Sequence, residues 1–159
     1  MPIAYINIGS NMGNRKALIE RAIAHIELLC GSICKQSPFI ESEPWGFESP
    51  HPFLNIGISI ECNHNPHALL QELLKIEKSI SNTSHRDENG NYIDRHIDID
   101  LIAVDDIVID SPSLQLPHPR MHLRDFVLTP MMHLNNSWVH PILNQNITQL
   151  HKQLHEKDN

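Results

Sequence analysis

No apolar run in this chain approaches the ~20 residues a helix needs to cross a bilayer, so no membrane-spanning helix is expected. The opening "MPIAYINIGS" has neither the basic flank nor the small-residue cleavage site of a signal peptide. A cytoplasmic protein is expected. Cysteine is limited to Cys30, Cys34 and Cys62. Their odd number and apolar surroundings give no disulfide framework, and nothing nearby completes a zinc set, so buried free thiols are expected. Positive charge is scarce: 12 Lys and Arg against 19 Asp and Glu leave a net charge of −7. Non-specific nucleic-acid binding is therefore not expected. A phosphate loop of the G-x-x-x-x-G-K-[ST] kind is also missing. Gly9 and Gly13 follow a strand and precede a helix, but no Lys-Ser or Lys-Thr comes after them. If a nucleotide binds, arginines and a metal must hold its phosphates.

At 159 residues the chain fits a single domain, 1–159, able to bury a core. "IAYINIGS" is a β-type run. "NRKALIERAIAHIELLCG" has helical period, with Leu18, Ile19, Ala22, Ile23, Ile26 and Leu29 on one face and Gly31 at the stop. "SICKQSPFIES" is a strand with an edge or bulge at Pro38, "ESEPWGFESPHP" a loop, and "FLNIGISIEC" a strand. A second helix, "NPHALLQELLKIEKSI", opens with Asn65 as N-cap and Pro66 at its first position. Its apolar face uses Leu69, Leu70, Leu73, Leu74 and Ile80. "SNTSHRDENGNY" is a polar loop, "HIDIDLIAV" a strand, and "DDIVID" a turn into one more short strand. "LPHPRMHLRDFVLTPMMHL" starts as a proline-bounded loop and becomes helical, and a short amphipathic helix closes the chain. The order β-α-β-β-α-β predicts an α+β, ferredoxin-like antiparallel sheet packed by helices on one face, with a C-terminal appendix. With no long exposed apolar stripe, a monomer is expected.

Two carboxylates stand inside the apolar strand "DRHIDIDLIAVDD". Side chains alternate across a strand, so His96, Asp98 and Asp100 share one face while Ile97, Ile99 and Leu101 share the other. Neighbouring carboxylates repel unless something positive lies between them, and magnesium takes such oxygen ligands together with substrate phosphates. The bland alternative is a wet strand face with solvated aspartates. Of six arginines, Arg86, Arg95, Arg120 and Arg124 bracket this pair, and the planar guanidinium fork suits phosphate oxygens. His118 and His122 are four apart, but Pro119 argues against a zinc-type helix.

Aromatics form 5% of the chain, yet Trp45, Phe47 and Phe53 fall together in the loop from Ser42 to Asn55. With Pro44 and Gly46 they form either a flat slot for a planar ring or a loop pinned by its own hydrophobic cluster. Asn55 can donate and accept at once, which suits the edge of a heterocycle. Glu77 continues the row Leu69, Leu73, Glu77, and is either a structural ion-pair partner or a nucleotide-positioning group.

Taken in order, "AYINIGSNMG", "ESEPWGF…HPFLN", "KIEKSI", "DRHIDIDLI", "LPHPRMHLRDFVLTP" and "WVHP" resemble the 6-hydroxymethyl-7,8-dihydropterin pyrophosphokinase family of folate biosynthesis. The resemblance covers nearly the whole chain and implies a ferredoxin-like fold. It implies diphosphate transfer from ATP to the pterin hydroxymethyl oxygen, with release of AMP. It also implies that Asp98 and Asp100 hold two magnesium ions on the triphosphate, and that Phe53 and Phe126 sandwich the pterin. Asn55 and the segment from Ser42 through Pro44 and Trp45 to Gly46 would read the pterin's edge. Glu77, Leu101 and the segment leading to His118 would line the ATP pocket, and Arg95, His118 and Arg124 would contact phosphates.

One region departs from that family. After "IEKS" a Gly-Arg-x-Arg run is usual, but here Ser81, Asn82 and Ser84 fall at those places. Either Arg86, the one arginine in "SNTSHRDENGNY", replaces the lost cations, or the enzyme closes poorly. The departure keeps a weak or non-catalytic pterin- or nucleotide-binding protein in view as the alternative. A ferredoxin-like interaction module is a third class, but it would need none of Asp98, Asp100, Asn55, Phe53, His118 and Arg124.

Overall fold

The computed structural model describes residues 1–44, 49–81 and 96–157. Trp45, Phe47, Arg86 and Arg95 lie outside the described residues.

The first strand, β1 (Ile3–Ser10), leads through a turn at Gly13, where φ is +69°, into α1 (Arg15–Leu29). Glycine meets no Cβ penalty at such a φ. The Asn14 carboxamide caps α1 by accepting from Ala17 N–H at 3.2 Å. β2 (Gly31–Gln36) and β3 (Ile40–Ser42) follow, then β4 (Phe53–Cys62), α2 (Pro66–Ile80) and β5 (Asp98–Val104). Asn65 caps α2 and Pro66 opens it, as the spacing predicts. All strand pairings are antiparallel, in the order β2-β4-β1-β5, with β3 also on β4. This is the expected ferredoxin-like sheet.

β2 and β3 are two pieces of one edge strand laid along β4 and broken at Pro38, which has no N–H to give to a ladder. Ser37 bridges the break. Its N–H donates to Gly57 O at 2.9 Å, and its hydroxyl accepts from Gly57 N–H at 2.9 Å.

Helices cover both faces of the sheet, not one. Under α1 and α2, Ala4, Ile6 and Ile8 of β1 join Ile56, Ile58 and Ile60 of β4 and Ile97, Ile99 and Leu101. The predicted apolar faces of these helices hold at Ile19, Ala22, Ile23, Ile26, Leu69 and Leu73. They fail at Leu29 and Leu74, which are exposed near the helix rims. Cys30 and Cys62 are buried free thiols as expected, and burial pushes the Cys30 thiol up to about 12. Cys34, on the outer strand, is exposed instead.

The opposite face is closed by the C-terminal appendix. The short hairpin β6 (Ile109–Asp110) and β7 (Gln115–Leu116) precedes a 3-10 turn at Met121–Leu123. α3 (Asp125–Asn135) and α4 (Ile147–Lys157) follow. Val127, Leu128, Met131 and Leu134 of α3 and Ile147 and Leu150 of α4 pack with Tyr5, Ile102 and Ala103 of the sheet. Gly57 permits this contact: a Cβ there would come within 2.7 Å of Pro130 Cβ. Hydrogen bonds fix the seam, from Asn135 Nδ2 to Tyr5 Oη at 3.0 Å and from Trp138 Nε1 to Asp105 O at 2.8 Å.

Candidate functional site

β5 is an edge strand, and its burial alternates as the sequence requires: Ile97, Ile99 and Leu101 are buried, while Asp98 and Asp100 are half-buried on the other face. The register sets Asp98 opposite Gly9 and Asp100 opposite Asn7 of β1. Alternation then breaks. Ile6 pairs with Leu101 and Tyr5 with Ala103, so Ile102 is an extra residue on β5. Such bulges re-aim a strand next to functional sites. Here Ile102 O accepts the His118 N–H at 2.8 Å, which pins the segment before the 3-10 turn beside the two aspartates. On the outer edge, Ile99 N–H donates to Glu77 Oε2 at 2.8 Å. Glu77 thus braces the strand that carries the carboxylates.

Two cavities meet at this strand. The first, about 400 Å³, is lined by Asn7, Gly9, Ser42, Glu43, Phe53, Asn55, Asp98, Asp100, Gln115, His118, Pro119, Arg120, Arg124 and Phe126. The second, about 370 Å³, is lined by Glu77, Leu101, Leu70, Leu74 and Leu114 among others. Asp98, Asp100, Gln115, His118 and Pro119 belong to both. The carboxylates therefore stand where two differently built pockets join.

The first cavity holds an aromatic from each of two elements, Phe53 at the start of β4 and Phe126 in the first turn of α3. Asn55 is buried, and its Nδ2 donates to Ser42 Oγ at 2.8 Å and to Ile40 O at 3.4 Å. Asn7, with its amide nitrogen turned toward the carbonyls of Ile56 and Phe126, donates to them at 3.3 and 3.2 Å. It ties the two sides of the cavity together. The loop base is held by Arg15, which donates to Pro52 O at 3.1 Å and pairs with Glu41 at 2.7 Å. Pro44 is the last described residue before Trp45, beyond Ser42 and Glu43.

The Arg124 guanidinium lies 3.9 Å from Asp100 Oδ2, with its Cζ 5.5 Å from the centre of the Phe126 ring. Its side chain is only 11% exposed, so its charge is little screened. His118 sits beside it. Burial first, and then the nearby Arg124 and Arg120, push its pKa down to about 4. Its Nδ1 accepts the Arg120 N–H at 3.2 Å, so the neutral ring carries its proton on Nε2. At neutral pH His118 is therefore a hydrogen-bond donor rather than a cation.

This has a measurable consequence. A His with a folded pKa below its unfolded value near 6.5 binds fewer protons folded than unfolded. Its contribution is fully present above pH 6.5 and is lost as pH falls toward 4. Ligand-free wild type is expected to lose more stability than His118→Gln over that window, by up to about 3 kcal/mol. Urea unfolding midpoints at pH 7 and pH 4.5 check this; parallel losses in the two proteins would contradict it.

The described residues thus bring together Asp98, Asp100, Ser42, Phe53, Asn55, Phe126, His118 and Arg124 in one cavity, with Glu77 and Leu101 in the adjoining one. Sequence reasoning did not single out Asn7, Glu43 or Gln115. Asn7 left a signal, a polar residue between Ile6 and Ile8 in an otherwise apolar strand.

The model of the 7,8-dihydro-6-hydroxymethylpterin-pyrophosphokinase family matches residues 5–136. A relative from Porphyromonas gingivalis, named 2-amino-4-hydroxy-6-hydroxymethyldihydropteridine pyrophosphokinase, is 40% identical over 132 residues, spanning 82% of this chain and 89% of its own. A Bacillus subtilis protein of the same name is 34% identical over 130 residues, spanning 81% and 75%. Among solved structures, HPPK-DHPS of Plasmodium falciparum superposes with a TM-score of 0.77 at 15% identity. The match spans 98% of this chain but 46% of that one, so the chain corresponds to just under half of it. That likeness bears on the fold.

Proposed function

The chain belongs to the 7,8-dihydro-6-hydroxymethylpterin-pyrophosphokinase family, and from that premise we propose that it transfers the β,γ-diphosphate of ATP to 6-hydroxymethyl-7,8-dihydropterin in folate biosynthesis. The pterin hydroxymethyl oxygen attacks the β-phosphorus. The bond from that phosphorus to the oxygen bridging it to the α-phosphorus breaks, AMP leaves with that oxygen, and the hydroxyl proton passes to solvent. The observation that carries this reading is the pair Asp98 and Asp100 at the junction of the two cavities.

The first cavity suits the pterin. Phe53 and Phe126 offer faces to a flat ring, and Asn55 with Ser42 offers polar atoms to its edge; a part for Pro44 and Trp45 in reading that edge rests on the family resemblance. The second suits ATP: Leu70, Leu74, Leu101 and Leu114 give apolar surface to the base, and Glu77 stands beside it. Arg124 and the His118 Nε2–H would serve phosphate oxygens; the family resemblance assigns the same task to Arg95, and Arg86 is the loop arginine that would replace the missing ones. Two carboxylates offer only oxygen donors, which fits two magnesium ions rather than a softer metal. Held by Asp98 and Asp100, magnesium would supply charge neutralisation for the triphosphate and make a nearby hydroxyl easier to deprotonate. The residues' own task is alignment and charge balance, which dominate phosphoryl transfer.

AMP formation is the test. With ATP, magnesium and the hydroxymethyldihydropterin, AMP should appear and should require the pterin. Pterin binding without AMP would instead establish the non-catalytic binder. Arg86→Ala in the same assay is expected to raise the ATP KM and lower turnover. Unchanged values would remove Arg86 from the phosphate clamp.

A further inference from the structure

Away from both cavities, α4 brings His151 and His155 to the first turn of α3. The two residues are four apart, so they share one helix face. Their rings lie 4.2 Å apart between centres. His155 Nε2 is 2.7 Å from Asp125 Oδ1, and His151 Nε2 is 3.8 Å from the same oxygen. One donor atom from each of the three residues lies within 4.8 Å of the others. We propose that Asp125, His151 and His155 form a second metal site, for a divalent cation of the zinc type, which staples α4 to α3.

The geometry is close to what such an ion needs. Bonds of ~2.0–2.1 Å at angles between octahedral and tetrahedral set neighbouring donors ~2.9–3.4 Å apart. The two edges to Asp125, 2.7 and 3.8 Å, bracket that range, and the third edge lies within 4.8 Å, so side-chain adjustment alone can close the set. The donor set also discriminates. Two imidazoles and one carboxylate favour zinc, cobalt or nickel over magnesium, which prefers oxygen alone. Support lies directly beneath: Thr129 Oγ1 donates to Asp125 Oδ1 at 2.8 Å and is 3.1 Å from His151 Nε2. A hydrogen-bonded carboxylate of this kind is the usual outer support of a metal site. Three protein ligands leave coordination positions for water, and the half-exposed setting gives the ion a way in.

The position gives the site a purpose. Asp125 is flanked by Arg124 and Phe126, which line the first cavity, while Asp125 itself does not. A metal there would fix the turn that presents both side chains, from the side away from the substrates.

The test uses the untagged full chain, stripped of metal and held in excess magnesium so that Asp98 and Asp100 do not compete. Calorimetric titration with Zn²⁺ should show one ion per chain. Affinity should fall at least ~100-fold in His151→Ala and in His155→Ala. Zn²⁺ should raise the melting temperature of wild type only, and Co²⁺ should give visible d–d bands in wild type that both variants lose. Equal binding in wild type and both variants would place the zinc elsewhere among the 12 histidines and overturn the proposal. Absence of zinc heat and cobalt bands in wild type would overturn it as well. His155→Asn, which keeps a hydrogen-bonding side chain toward Asp125, separates metal loss from helix undocking: it should also lose the Co²⁺ bands while melting like metal-free wild type.

Discussion

Asp98→Ala and Asp100→Ala should each lower turnover by at least about a thousandfold, the scale seen when a preorganised charge-stabilising group is removed, while pterin affinity changes little. The asymmetry follows from where the two residues stand. Both line the shared wall of the two cavities, whereas Phe53, Asn55, Ser42 and Phe126 line the first alone. Removing a carboxylate strips an oxygen ligand from the place where the triphosphate must be neutralised, and leaves the ring-binding walls untouched. The two variants should also differ from each other. Asp100 faces Arg124 at 3.9 Å, so Asp100→Ala also takes a carboxylate away from that guanidinium. Asp98→Asn and Asp100→Asn keep the shape and remove the charge; they should be nearly as slow, because charge is the property in question. Turnover at saturating ATP and magnesium, with pterin affinity measured separately by fluorescence quenching, decides the matter. Wild-type rates in both alanine variants would sink the metal assignment.

Much of this site was legible because the strand carrying it alternates cleanly. From Ile97 to Leu101 the period of two places polar and apolar residues as the structure does. The pattern ends at Ile102 because a bulge adds a residue and because α3 and α4 bury the second face, so that Ile102, Ala103 and Val104 are all buried. Neither cause is local. The bulge is a property of pairing with β1, about a hundred residues away, and the cover comes from a segment that reads only as an appendix. The expectation of helices on one face failed for the same reason. Tyr5 between Ala4 and Ile6 presents a largely apolar ring, so the sequence of β1 shows no alternation until Asn7 and Gly9. Gln115 and Glu43 were invisible because single polar residues at a strand end or in a loop are common. They acquire meaning only when the His118 segment and the Ser42 segment converge on β5.

Asn55→Leu is the second large effect expected, a rise in the pterin KM on the order of 10²- to 10³-fold with ATP KM and saturated turnover nearly unchanged. The reasoning starts from the amide's two ends. Asn55 Nδ2 is committed to Ser42 Oγ and Ile40 O, which fasten β3 to β4. Oδ1 is turned the other way, toward Gly9, where a Cβ would lie 3.0 Å from it and 3.3 Å from Phe53 Cδ1. Gly9 thus leaves space in front of both the acceptor and the aromatic wall, and a flat ring on Phe53 can bring its N–H edge to Oδ1. Leucine fills nearly the same volume but leaves those ring donors unpaired in a buried place. A site built to hydrogen-bond a polar group discriminates strongly when that bond is lost. The loss falls equally on ground state and transition state, because the edge is remote from the hydroxymethyl group, so KM rises and turnover holds. Gly9→Ala should move KM the same way by a smaller factor, by crowding Oδ1 and Phe53 together. The Leu variant also gives up the Ser42 bond, at a cost of about 1–2 kcal/mol in stability, so assays belong well below its melting point. If pterin KM stays at the wild-type value in a folded Asn55→Leu protein, Asn55 serves only to hold β3 against β4, and the ring must be read by the Ser42 segment instead.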